Sequence, residues 1–201
     1  MNISDKFIIQ QLFADHPFFC HYNKIGENWV MHKPFYYNPQ VTFREVPDEI
    51  SLTIPTLCYE HCSEDCNSQF CFIENWKDKF ELLDNKVLDI LLQKNFGVSC
   101  LTIMTSLNFY YLQDILTEFK ENHSDIKLAL YIGKDWEILL QALPFRNFNF
   151  RILDYIKIGS FKKEFGPLDN PNTNQRFYKI SHLKEGDLFE NITDKFLQKP
   201  I

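Results

Sequence analysis

The strongest constraint on the fold is a regular alternation between short apolar runs and amphipathic segments in the middle and later parts of the chain. Ser99 to Met104 (SCLTIM) is a short, nearly continuous apolar run of the kind that makes a strand buried on both faces. Lys127 to Ile132 (KLALYI) and Arg151 to Ile158 (RILDYIKI) read the same way, and Ile50 to Ile54 supplies an earlier strand. Between them lie helical patterns. Asp84 is an N-cap for a helix through Lys94 whose Val87, Leu88, Leu91 and Leu92 form one apolar stripe. Asn108 caps a second helix carrying Leu112, Ile115, Leu116 and Phe119 at helical spacing, and a third runs from Asp135 to Leu143, ending before Pro144.

Strand, crossover helix and strand in repetition predict an α/β fold built on a parallel sheet, either open or closed into a partial βα barrel. In such sheets ligands gather at the carboxyl ends of the strands. The segment after the first strand and Thr105-Ser106-Leu107 after the second are therefore expected on one rim. Tyr131 and Gly133 close the third strand at that rim, and Lys157 and Gly159 close the fourth. Gly133 is read either as a point of close ligand approach or as a turn residue. Asn174, Gln175 and Arg176 suit either recognition of an extended peptide or an internal turn network.

The length of 201 residues suits one such domain with a short appendage. Residues 1–40 differ from the rest in carrying many aromatics, three histidines and three prolines, with one short predicted helix from Asp5 to Phe13. We expect an N-terminal appendage over 1–40 and the main domain over 41–201. Lysine plus arginine number 21 against 27 acidic residues, a net charge of −6 with no basic block, which disfavours nucleic acid as a partner. No apolar run is long enough to span a bilayer and the N-terminus has no export pattern, so a cytoplasmic protein with no membrane partner is expected.

Four of the six cysteines, Cys58, Cys62, Cys66 and Cys71, fall in the stretch PTLCYEHCSEDCNSQFCF. In a reducing compartment such crowding points to a metal or cluster rather than to disulfides. Thiolates at this spacing suit zinc or an iron-sulfur centre, and spacing alone does not choose. Cys100, within an apolar strand, is expected to be a small buried hydrophobe.

Around these cysteines the sequence takes on a family character. The run VTFREVPDEISLTI, the cysteine stretch, ENWKD, then ALYIGK, LDYIKIGSF and GPLDNPNTNQRFYKI resemble the radical S-adenosylmethionine proteins that activate anaerobic ribonucleoside-triphosphate reductase. The resemblance covers roughly Val41 to Phe196. It implies a partial, open βα barrel of radical S-adenosylmethionine type. It also implies a 4Fe-4S cluster on three cysteines, with the fourth iron left for the amino and carboxylate groups of S-adenosylmethionine. Reductive cleavage of that cofactor then installs a glycyl radical on the large reductase subunit, with electrons from a donor such as flavodoxin. Thr105, Ser106, Tyr131, Gly133 and Lys157 are the cofactor-binding candidates.

Two departures bear on this. The family spacing is C-x3-C-x2-C, whereas this chain has C-x3-C-x3-C-x4-C. Counting inward from both matched flanks gives Cys58, Cys62 and Cys71 as iron ligands, with Cys62, Cys66 and Cys71 as the other assignment. Four thiolates could instead close around zinc. Second, where the family carries Gly-Gly-acid after the second strand, this chain has Thr105-Ser106-Leu107. The alternative function is accordingly a non-enzymatic relative that binds zinc or a structural cluster and serves as a partner-binding or regulatory subunit. A further alternative is an unrelated small zinc protein.

Overall fold

The computed structural model describes residues 22–25, 28–31, 34–56, 81–105, 112–141 and 148–197. The chain divides into two compact units, residues 1–33 and residues 34–201. In the first, β1 (Tyr22–Ile25) and β2 (Asn28–Met31) form an antiparallel hairpin. Residues 34–40 belong to the second unit, where Phe35 and Tyr36 are buried.

The second unit is a mixed α/β structure. In chain order its elements begin with β3 (Phe35–Tyr36), β4 (Gln40–Thr42), β5 (Ser51–Pro55), β6 (Glu81–Leu82) and α1 (Asn85–Lys94). Next come β7 (Cys100–Thr105), α2 (Gln113–Asn122), β8 (Lys127–Ile132), α3 (Trp136–Gln141) and β9 (Tyr155–Ile158). The last strands are β10 (Arg176–Leu183) and β11 (Gly186–Asn191). Seven strands form one sheet in the order β11-β10-β9-β8-β7-β5-β4, while β3 and β6 pair separately.

The central pairs β5-β7, β7-β8 and β8-β9 are parallel, and β4, β10 and β11 join antiparallel. The expectation of a parallel sheet therefore holds for the centre and is corrected at both margins. The reason is local. β4 and β10 reach their neighbours without a crossover helix, and such connections return the chain antiparallel.

Helix α1 starts where Asp84 accepts a hydrogen bond from the Val87 amide at 2.9 Å, the cap expected from the sequence. Strand β9 is shorter than the pattern RILDYIKI suggested. Asn149 caps a 3-10 turn over Phe150–Ile152, and the Asp154 carboxylate accepts the Leu128 amide at 2.8 Å, so regular strand begins only at Tyr155. The Asn108 cap and the Asp5 to Phe13 helix lie outside the described residues. Among the described residues no helix is long and apolar enough to cross a membrane.

Alternation along the central strands gives the sheet two unlike faces. On one, Leu52, Ile54, Leu101, Ile103, Leu128 and Leu130 pack with Leu88 of α1, Leu116 and Phe119 of α2 and Leu139 of α3. This aliphatic layer is the main core, and all three helices contribute to it. The second face carries Ser51, Thr53, Cys100, Thr102, Ala129, Tyr131, Tyr155 and Lys157, residues either small or polar-tipped. Phe177 of β10 and Val46, from the turn before β5, cover part of it.

Candidate functional site

The second face is organised by the turn Phe43–Glu49. Pro47 presets one backbone angle, and Asp48 adopts a positive φ of 67°, which its short side chain tolerates. The Glu49 amide then bonds the Val46 carbonyl at 3.2 Å and closes the turn. Val46, fully buried, drops against Cys100, Ala129, Tyr131, Tyr155 and Phe177. Two glutamates flank it.

Glu49, 9% exposed, sits at the amino ends of the strands. Ser99 Oγ donates to its Oε2 at 2.7 Å, while the Lys127 ammonium and the Tyr155 hydroxyl donate to Oε1, the latter at 3.1 Å. A buried carboxylate with three donors is a satisfied structural anchor. Its bond to Lys127 holds that ammonium above the usual lysine range, and burial together with the Glu49 charge pushes the Tyr155 phenol up to about 12.

Both groups hold their protons more tightly folded than unfolded. Their contribution is complete below the unfolded values of about 10 to 10.5 and is lost as pH rises through the folded ones. The melting temperature should therefore fall between about pH 10 and 12, with tyrosinate absorbance appearing together with unfolding. A Glu49→Gln variant should lose its deficit relative to wild type over the same interval. Thermal melts followed by circular dichroism at stepped alkaline pH measure this, and a constant deficit would contradict it.

Glu45 lies toward the carboxyl ends. Tyr131, buried on β8, donates its hydroxyl to the Glu45 main-chain carbonyl. Tyr131 is in register with Lys157 on one side and Met104 on the other, so all three project from the same row of the second face. Lys157 is 7% exposed and its ammonium donates to the Gly159 carbonyl at 2.6 Å. Burial raises the Glu45 carboxyl above the ordinary range, and the Lys157 charge and the Tyr131 hydroxyl oppose that rise. Burial likewise holds the Tyr131 phenol well above its ordinary value.

The rim gathers the rest. Thr105, half-buried, ends β7, and its carbonyl accepts the Gly133 amide at 3.2 Å. Thr56 bonds the neighbouring Met104 carbonyl through its amide and its hydroxyl, at 2.8 and 2.9 Å. The chain thus leaves for the cysteine stretch beside the point where it leaves for Ser106, as the strand order required. Gly133 is not demanded by space, since an added Cβ would come no nearer than 3.9 Å to the Thr105 carbonyl. Gly159 is demanded: its φ is +114°, and a Cβ would sit 3.0 Å from Gln175 Cα.

Asn174 donates to the Ser160 carbonyl at 2.9 Å, and Arg176 bonds the Thr173 and Gln175 carbonyls at 2.6 and 2.8 Å. These contacts are those of an internal turn network. Cys100 is buried, which pushes its thiol up to about 12 and keeps it protonated.

Cys58, Cys62, Cys66 and Cys71 lie outside the described residues, as do Ser106 and Leu107. Among the described residues no group of three or more histidine, cysteine, aspartate or glutamate side chains could hold a metal. Of the sequence candidates, Tyr131 and Lys157 stand side by side, and Thr105 and Gly133 meet through their backbones. Sequence reasoning missed Glu45 and Glu49. Their one signal was EVPDEI, whose proline-acid turn precedes the first parallel strand.

Comparison with protein-family models, with characterised proteins and with solved structures finds no match to this chain. The function must therefore be argued from the residues.

Proposed function

We propose that the chain is a radical S-adenosylmethionine activating enzyme of the cytoplasm, which takes electrons from a donor such as flavodoxin and installs a glycyl radical on the large subunit of anaerobic ribonucleotide reductase. The observation that carries this reading is the order of the parallel strands. β5, β7, β8 and β9 are neighbours in sequence order, and the helices that join them pack on one face. Right-handed crossovers that all keep to one side build the arc of a βα barrel and leave the other face to line its interior. The polar row of that face lies toward the carboxyl ends of the strands, where such folds bind ligands.

The residues present suit the cofactors. The four clustered thiolates are soft donors, and three of them, Cys58, Cys62 and Cys71, would leave one iron open. Lys157 is a buried cation for a carboxylate, and the Thr105 and Ser106 hydroxyls can accept from an ammonium. When bound, the cluster and S-adenosylmethionine together supply a carbon radical able to take a hydrogen atom from glycine. The chain's own part would be to hold the amino-acid end of the cofactor, and Val46, Tyr155 and Phe177 pack together on the second face.

A second reading rests on the Thr105-Ser106-Leu107 segment and the fourth cysteine: a non-enzymatic relative that binds zinc and serves as a regulatory or partner-binding subunit. Anaerobic reconstitution followed by iron and sulfide analysis separates the two. The enzyme should take up iron and sulfide and form 5'-deoxyadenosine slowly with a strong chemical reductant. Replacing Thr105-Ser106-Leu107 by Gly-Gly-Glu should raise that rate. A chain that holds zinc alone would overturn the first reading.

A further inference from the structure

We propose that β11 is a self-association edge, at which a second copy of this chain adds its own β11 antiparallel and joins the two seven-stranded sheets into one. The inference does not depend on which metal the cysteines hold. β11 ends the sheet order, and among the described residues no strand pairs with its outer side. The Ile192 amide donates to the Phe177 carbonyl at 2.9 Å, and bonded positions in an antiparallel pair recur at every second residue. Gly186, Leu188 and Glu190 therefore turn their main-chain groups toward β10. Asp187, Phe189 and Asn191 turn theirs outward, which lines one edge with amides and carbonyls ready for another strand.

The opposite margin of the sheet does not offer this. β4 has three residues, and such short edge strands resist pairing. β11 has six residues, no proline, and an unbroken register with β10. Its acids do not guard it, because Asp187 is held by His182 at 3.0 Å and by Arg151 at 3.5 Å, and Glu190 lies opposite Lys179. Leu188 is 54% exposed. Phe189 carries the aromatic row of the helix side out to the edge, its ring 6.5 Å from Tyr178 and 6.3 Å from Phe150.

The side chains choose a second copy and a register. With a two-fold axis at Phe189, every outward residue meets an outward residue: Phe189 faces its own copy, and Asp187 faces Asn191. That pairing forms about six main-chain hydrogen bonds, sets two aromatic rings across the axis and opposes no like charges. An axis at Glu190 would set two carboxylates against each other. One at Leu188 would put Asn191 beyond the end of the copy's strand. The axis at Phe189 stands perpendicular to the sheet, so both helix layers fall on the same side of the joined sheet.

Sedimentation velocity of the full chain over a concentration series tests the proposal. Wild type should shift toward twice the chain mass as concentration rises. Phe189→Lys and Phe189→Glu should each associate about tenfold or more weakly, because like charges then meet at the axis. Mixed in equal amounts, the two variants should associate again, since lysine then faces glutamate. A role confined to packing within one chain gives no such recovery. Hydrogen exchange on the unaltered chain serves if either variant does not fold: the Asp187, Phe189 and Asn191 amides should exchange more slowly as concentration rises.

A wild-type chain that stays monomeric throughout the series overturns the proposal. Single variants that associate as well as wild type, or a mixture that stays monomeric, place the contact elsewhere and overturn it too. Protection of the three amides that does not change with concentration would mean that the chain's own residues cover the edge, with the same result.

Discussion

Serine at Cys58, Cys62 or Cys71 is expected to abolish the visible absorbance of the reconstituted cluster, while serine at Cys66 leaves it nearly intact. The reason is coordination number. An iron that must keep a position open for a ligand leaves three protein donors for the cluster, and a hydroxyl is a poor substitute for a soft thiolate. By the family resemblance, counting forward from EVPDEISL points to Cys58 and Cys62 as the first two ligands and counting back from ENWKD points to Cys71 as the third, so that the surplus residues fall around Cys66. Iron analysis and absorbance on the four single variants decide it. If Cys66 proves essential and Cys58 dispensable, the ligands are Cys62, Cys66 and Cys71. If all four are equally needed and the metal is zinc, the site is closed and the regulatory reading replaces the enzymatic one.

The second large effect falls on the packing of the second face. Phe177 is fully buried, and its ring lies 5.7 Å from Tyr131, 5.8 Å from Tyr155 and 5.1 Å from Phe196, centroid to centroid. Phe177→Ala removes a large aromatic from a site whose neighbours are held by other bonds: Tyr155 by Glu49, and Tyr131 by the Glu45 carbonyl. They cannot collapse into the space, so the cavity persists and the loss should be about 3 to 5 kcal/mol. For a chain of this size that lowers the melting temperature by roughly 6 to 20 °C. Phe177→Leu should cost far less, and Phe189→Ala, at a side chain 37% exposed, should cost less still. Equal effects at Phe177 and Phe189 would show that the second face is not a packed layer.

Why some of this was readable and some not follows from the physics of each part. KLALYI fits β8 to the residue, because Leu128, Leu130 and Ile132 face the helix side and the spacing of two is unmistakable. Asp84 is equally legible, since an N-cap is a local interaction between residues three apart. The hairpin β10-β11 was not. Its turn, Lys184-Glu185, lacks the asparagine-glycine or aspartate-glycine signal, and β11 is exposed along most of its length, so it shows no apolar alternation.

The site divides in the same way. Tyr131 and Lys157 could be placed side by side because each lies near the end of an apolar strand run on the expected rim. Glu45 was not, since its neighbour Tyr131 is 86 positions away and no local pattern records that meeting. Neither was Glu49, an acid in a turn whose side chain would ordinarily face water.

That last separation bears on how the chain assembles during synthesis. Glu49 waits for Lys127, 78 positions later, and for Tyr155, 106 positions later. The turn that carries it leaves the ribosome early, and Glu45 and Glu49 stay hydrated until β8 and β9 have been made and have docked. Contacts of such long reach form late and slow the search for the native state. Until then Val46, between the two acids, has no layer to enter. The growing chain thus keeps Glu49 in water through the interval when its apolar strands are least protected, and buries it only when the last parallel strand is in place.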